Sequence, residues 1–321
     1  MAAAEPGAGN AESMSRAEKI LSQVDPAREI GVELGPLTRP IVPRSAGKIY
    51  YADHRSTAEL RQKYAEHGKN GLVDLDALAE IDLVLADQTL SQALGDRAPV
   101  DYVIASHVIE HLPDPISWLC EIADCLRDGG HLCLAIPDKR FTFDHFRCSS
   151  VTRELLECYL GREKLPTVGQ VFDHVAHAAQ IDPAMIWRGK IGARVPVAGH
   201  TPRRALELAR QVAATPAYHD VHCTVYTPYS FCEVLREVME LDLVPYEVAA
   251  FETTVPGDME FFATLRVRRD LVSPLDRMAT VPVLDPALHD MLPGTALDAV
   301  QQERGLVGSL IARLKGLILT R

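Results

Sequence analysis

The stretch from Asp101 to Asp138, DYVIASHVIEHLPDPISWLCEIADCLRDGGHLCLAIPD, constrains the fold of this chain more than any other. Residues 102–105 form a short apolar run bounded by polar residues, and residues 132–136 form a second, closed by Pro137-Asp138. Between them Ile116, Leu119, Ile122, Ala123 and Leu126 recur at helical spacing, and Gly129-Gly130 marks the expected helix stop. Short apolar runs read as buried strands, and apolar residues three and four apart read as one face of a helix. Strand, helix and strand in this order make a crossover unit of a parallel sheet. Ser106-His107 and Glu110-His111 leave the carboxyl end of the first strand, the edge where open α/β sheets take their ligands.

The alternation extends in both directions. Residues 28–34, 48–52 and 83–86 read as three earlier strands, the last two ended by Asp53 and Asp87, and residues 57–67 fit a helix rich in Glu, Arg and Lys. Ser15 with Glu18 predicts a capping box for a helix reaching about residue 24. Thr227-Pro228 predicts the start of a helix over 228–239, since proline fits the first helical position. Residues 244–251 and 260–267 flank Val255-Pro256-Gly257-Asp258 and predict an antiparallel hairpin. The expected fold class is α/β: a doubly wound, seven-stranded, mainly parallel and Rossmann-like sheet closed by that hairpin.

The rhythm breaks over residues 141–221. There helical segments (150–160 and 201–214) are joined by a Gly- and Pro-bearing stretch, which predicts a helical insertion folded as a lid over the carboxyl edge. The expected domain runs over 14–269. Residues 1–13 are expected to be disordered. Residues 270–321 form a C-terminal extension, in which 306–319 predicts an amphipathic helix for docking on its own domain, on a second subunit or on a membrane surface.

With 33 Lys and Arg against 44 Asp and Glu, the net charge of −11 excludes broad electrostatic binding to nucleic acid. The seven cysteines include no C-x-x-C pair and several fall on apolar faces, which predicts reduced, buried thiols. The N-terminus lacks a basic region followed by an apolar core, and no apolar run approaches membrane-spanning length. A cytoplasmic protein is expected.

Acidic residues recur at the strand ends. Glu33 and Gly35-Pro36 follow the first strand, Asp53 the second about 20 residues later, and Asp87-Gln88 the third. Gly35 lets backbone approach a ligand, and Glu33 can accept from a bound amine or from loop amides. A carboxylate at Asp53 accepts both hydroxyls of a ribose diol, and Asp87 is placed to accept from an adenine amino group.

Glu33-x-Gly35, Asp53, Asp87, SHVIEHLPDP, DGGHLCLAIPD and the terminal hairpin together resemble the class I S-adenosylmethionine-dependent methyltransferases, closest to the type 11-like members often associated with glycan and secondary-metabolite modification. The resemblance covers residues 28–138 and 225–268 and implies S-adenosylmethionine as cofactor. It implies Glu33, Gly35 and Pro36 near the methionine moiety, Asp53 on the ribose, Asp87 and Gln88 around the adenine, and Ser106 and His107 under the sulfonium. The chain departs from the family where Leu37 and Arg39 stand in place of further glycines. That departure motivates an alternative, a non-catalytic scaffold or regulatory subunit. A nicotinamide-linked dehydrogenase would need G-x-G-x-x-G after the first strand, which is missing.

The expected acceptor is a small molecule or glycan, methylated on a hydroxyl oxygen, and such an oxygen benefits from a base with a pKa near 7. His222, oriented by Asp220, is the expected base, with His107 on the sulfonium side. His174 in the insertion, Arg140 and Arg188 are expected at the acceptor, the arginines (with Lys139 and Arg147) meeting a phosphate or carboxylate. His107-x-x-Glu110-His111 has the look of a metal set, but the expected site is metal-free, with Glu110-His111 shaping the loop.

Overall fold

A computed structural model describes residues 14–69, 74–86, 88–190, 192–270 and 273–285. The expectations for residues 1–13, for Asp87 and for the helix over 306–319 lie outside the described residues.

The chain runs α1 (Arg16–Ile20), β1 (Ile30–Leu34), β2 (Lys48–Asp53), α2 (Thr57–Lys69), β3 (Leu83–Val84), α3 (Leu90–Leu94), β4 (Val100–Ser106), α4 (Pro115–Cys125) and β5 (Leu126–Pro137). Then come α5 (Thr152–Gly161), α6 (Val168–His177), β6 (Ala179–Gln180), α7 (Pro183–Trp187), β7 (Val195–Pro196) and α8 (Pro202–Ala214). The chain closes with α9 (Pro228–Glu240), β8 (Tyr246–Glu252), β9 (Glu260–Val267) and α10 (Pro274–Met278). The main sheet has seven strands in the order β3-β2-β1-β4-β5-β9-β8. All pairs are parallel except β5–β9 and β9–β8. The small β6–β7 pair belongs to the insertion.

Both faces of the sheet are buried, which is why its central strands read as unbroken apolar runs. Side chains alternate across a strand. Val103, Ala105, Leu132 and Leu134 therefore join one core with α4 and α9, while Tyr102, Ile104, Cys133 and Ala135 join another with Ile20 of α1. Gly31 on β1 lies opposite Tyr102 on β4. A β-carbon there would stand 2.1 Å from the Tyr102 ring, so the packing requires glycine.

Ser15 and Glu18 form the expected capping box, but α1 ends at Ile20, short of residue 24. The helix of the crossover also ends early, at Cys125, because Leu126 already pairs with Val100 as a strand residue. The register then jumps to Tyr102 opposite His131. Gly129-Gly130 thus sits in an irregularity within β5 and does not stop the helix. Gly129 takes φ +76° there, a region costly for other residues.

The strand order reverses between β1 and β4, on either side of β1. Leu34 lies level with Ala52 on β2 and with Ala105 on β4. Gly35, Asp53 and Ser106 are therefore the next residues out on one edge. A reversal of this kind opens a crevice at the carboxyl ends of the strands.

Candidate active site

Along that edge, β1 ends in a loop tied down from below. Glu33 is buried and accepts hydrogen bonds from the backbone amides of Ile41 (2.8 Å) and Val42 (3.1 Å). Burial raises its pKa, and the two amides pull against that rise. Its carboxylate holds the loop from within. Gly35 takes φ +62°, and a β-carbon there would meet nothing within 4 Å, so open space lies above it. Leu37 takes φ +45°. The chain therefore makes a left-handed turn at one of the positions that departs from the family's glycines, at a strain of about 1–2 kcal/mol. Pro36 packs inward.

Asp53 is buried at the end of β2, and its Oδ1 meets His54 Nδ1 (2.6 Å) and the Arg55 amide (3.2 Å). Gln88, exposed beyond β3, turns its Nε2 back to donate to the Val84 carbonyl at 2.7 Å.

The end of β4 meets α1 and β9. Arg16 donates to Ser106 Oγ (2.6 Å) and forks onto Glu260 (2.6 and 2.9 Å). His107 Nε2 lies 2.9 Å from the same Glu260 carboxylate. Burial alone would raise the pKa of Glu260, but the bonds from His107 and Arg16 hold it down at about 2. His107 has φ +54°, a conformation costly for a non-glycine residue and commonest where a site aims a side chain. Arg16 and Glu260 escaped the sequence reading. A lone acid opening the apolar strand EFFATLRV was the available signal for Glu260.

A second group forms beside this edge. His222 Nδ1 lies 2.5 Å from Asp144 Oδ2, and both residues are buried. Arg147 clamps the pair, donating to Asp144 Oδ1 (2.8 Å), to the His222 carbonyl (2.9 Å) and to Asp173 (2.7 Å). Burial opposes ionisation of Asp144, but His222 and Arg147 hold its pKa below the usual carboxylate range. The segment bearing His222 is hooked to β4's loop, because the Cys223 and Thr224 amides donate to the Glu110 carbonyl (2.6 and 3.1 Å). The His111 and His222 rings consequently meet edge to face, 4.7 Å apart.

This corrects the expected pairing. Asp220 contacts His111 Nδ1 (3.1 Å, without hydrogen-bond alignment) and Lys63 (3.5 Å), while the partner of His222 is Asp144. A carboxylate two residues away in a half-exposed turn gains little, whereas a buried one loses no strength to water. Burial lowers the His111 pKa, but the Asp220 contact and the Glu110 and Asp144 charges outweigh it and leave the pKa raised. Asp144 had a sequence signal, a charge inside the aromatic run FTFDHF.

Two residues expected at the acceptor, His174 and Arg140, are engaged within the fold. His174 is buried, and its Nδ1 accepts from the His222 amide (3.1 Å), so that nitrogen carries no proton. Burial, aided by Arg147, accordingly lowers its pKa to about 3. Arg140 is forked onto Asp138 (2.6–3.1 Å) and Arg147 is fully engaged as above, so their charges serve the fold. Arg188 is exposed at the end of α7. Trp187 stacks on Phe141 at 4.2 Å and donates to the Asp258 carbonyl, as a packing residue.

The sheet order and these strand ends can be set beside known proteins. A family profile described as methyltransferase domain matches residues 29–238, about two thirds of the chain. The chain belongs to this family. Its sheet, with the antiparallel pair at one side, is that of a class I S-adenosylmethionine-dependent methyltransferase, and S-adenosylmethionine is its cofactor. No curated protein matches the chain. Among solved structures it is similar to an S-adenosylmethionine-dependent methyltransferase from Mesorhizobium loti (12% identity, 78% of this chain and 97% of that one, TM-score 0.37). One from Aquifex aeolicus is comparable (14%, 78% and 89%, TM-score 0.36), as is a glycopeptide N-methyltransferase with S-adenosylhomocysteine (12%, 78% and 88%, TM-score 0.37).

The residues of the methyltransferase fit that cofactor. Open space above Gly35 admits a ligand, and among the described residues Asp53 Oδ2 has no hydrogen-bond partner that would compete with a diol. Among the described residues no helix is long and apolar enough to cross a membrane.

Proposed function

We propose that this methyltransferase transfers the methyl group to a hydroxyl oxygen of a small molecule or glycan, in the cytoplasm, with residues 141–221 acting as the acceptor lid. The buried Asp144–His222 pair beside the β4 loop carries this reading. S-adenosylmethionine supplies a sulfonium-bound methyl that moves to the acceptor oxygen while the electron pair of the broken bond stays on sulfur. In this proposal Asp53 holds the ribose, the Gly35 turn leaves room for the methionine moiety, and Ser106 and His107 lie under it. Asp144 engages Nδ1 of His222, which leaves Nε2 to take the hydroxyl proton, in the manner of a carboxylate-oriented base. Arg147 keeps Asp144 ionised and so keeps the tautomer of His222 fixed.

The unpaired thiols support a reducing compartment, and the −11 charge supports an acceptor other than nucleic acid. Calorimetric titration with S-adenosylmethionine and S-adenosylhomocysteine is expected to give one site for each, and binding of neither sinks the enzyme reading in favour of a scaffold. With methyl-labelled cofactor and a panel of hydroxyl- and amine-bearing acceptors, label is expected on oxygen. Transfer to amines alone overturns the oxygen assignment.

A further inference from the structure

Helices α5 and α9 pack against each other and leave a groove of about 720 Å³ along their surface. Its floor is apolar. Leu156, Leu160 and Leu241 line it, and Leu160 and Leu241 are 76% and 52% exposed. Contiguous exposed apolar surface with a polar border marks a place where something docks. Here the border is acidic, with Glu157 on α5 and Glu237 and Glu240 on α9. Arg153 pairs with Glu154 and Glu157, and Arg236 with Glu233. Glu237 and Glu240 have no basic partner among the described residues.

The chain comes close to this groove near the end of the described residues. Helix α10 packs on α9, and Val281 is buried in the same core as Val234 and Val238. The Pro282 carbonyl then accepts from Arg236 (3.0 Å), the neighbour of Glu237. Val283 is 89% exposed. Farther along, residues 306–319 combine leucines, isoleucine and basic residues without one acid. With about 3.6 residues per helical turn, Leu306, Leu310, Leu314, Leu317 and Ile318 share one face, with Arg313 at one border and Lys315 at the other. A leucine stripe between two cations matches a leucine floor between two rows of glutamates. The connection is long enough. Residues 286–305 reach about 60 Å when extended, while α9, of 13 residues, is about 20 Å long.

We propose that residues 306–319 dock as a helix in the α5–α9 groove of their own chain. Their apolar face covers Leu156, Leu160 and Leu241, and their basic residues meet Glu157, Glu237 and Glu240. Because α5 opens the insertion and α9 packs on the sheet, the docked segment ties the insertion to the body of the domain.

The test uses the full chain and amide hydrogen exchange read by mass spectrometry. Residues 306–319 are expected to exchange at least about 10-fold more slowly than an unstructured segment, and this protection should not change on dilution. Leu160→Lys with Leu241→Lys should remove it. Glu237→Lys with Glu240→Lys should weaken it, and adding Arg313→Glu with Lys315→Glu should restore it. All four groove positions are exposed, so β4 and β5 should exchange as in wild type and report an intact fold. The proposal is overturned if 306–319 is unprotected in wild type, if the two leucine substitutions leave protection intact, or if the reversed charges fail to restore it. It is equally overturned if protection follows dimer formation in light scattering, which makes a second copy the occupant, or appears only on adding anionic phospholipid vesicles, which makes it a membrane surface.

Discussion

The cofactor edge and the acceptor end of this protein are built in opposite ways. The edge takes Gly35, Asp53 and Ser106 from three parallel strands whose register places them level. The acceptor end draws Glu110 and His111 from a loop, Asp144 and Arg147 from the start of the insertion, His174 from α6 and His222 from the segment before α9. Its key bonds join residues 48, 75 and 78 positions apart. Charge differs too. At the edge Glu33 is committed to loop amides and Glu260 to Arg16 and His107, while Asp53 keeps one oxygen for a ligand. At the acceptor end, the Glu110 carboxylate has no hydrogen-bond partner among the described residues. In the proposed reading, a repeating scaffold supplies cofactor binding, and a unique set of long-range contacts supplies the groups that act on the acceptor.

If the two regions have separate tasks, substitutions should separate them. The largest effect is expected from His222→Ala, which should lower kcat by about 10²–10⁴-fold with S-adenosylmethionine affinity unchanged in calorimetry. Equal loss of both would merge the regions. Asp53→Ala should do the reverse, weakening S-adenosylmethionine by about 10–100-fold for one or two lost charge-assisted hydrogen bonds. An unchanged affinity refutes the ribose assignment.

The acceptor end should also set part of the acid sensitivity. His174 is neutral in the fold with a pKa of about 3, but protonates near 6.5 when unfolded. The unfolded state therefore binds the extra proton between these values, and stability should fall as pH drops from about 6.5 toward 3. His174→Gln, which keeps an acceptor for the His222 amide, should flatten that part of the profile in urea melts across pH. A slope as steep as wild type's would place the acid sensitivity elsewhere. The smallest effect is expected from Asp220→Asn. Its carboxylate is half exposed and serves His111 and Lys63, so kcat should change by less than about 10-fold. A loss as large as that of His222→Ala would restore Asp220 as the partner of His222.

Most of the fold was legible because sheet and helix periods are local. The runs at 102–105 and 132–136, the capping box at Ser15 and the proline after Thr227 each report on residues within one turn or strand. The errors were local as well. Gly129-Gly130 looked like a helix stop because the sequence does not reveal that Leu126 has already found Val100 across the sheet. In the site, strand-end acids could be named in advance because a strand's end is visible in its sequence. The partner of His222 could not, since nearness along the chain favoured Asp220 and burial decided for Asp144.

By itself, then, the sequence determined the alternation of strands and helices, the carboxyl edge where open α/β sheets take their ligands and the histidines available there. Only the tertiary structure decided which carboxylate holds His222, that Arg140, Arg147 and His174 are engaged within the fold, and that the buried Glu110 carboxylate lies beside two imidazoles with no hydrogen-bond partner among the described residues. Backbone periodicity is a property of neighbouring residues. The strength of a charged contact depends on how much water remains around it, and that is settled only when distant segments close over it.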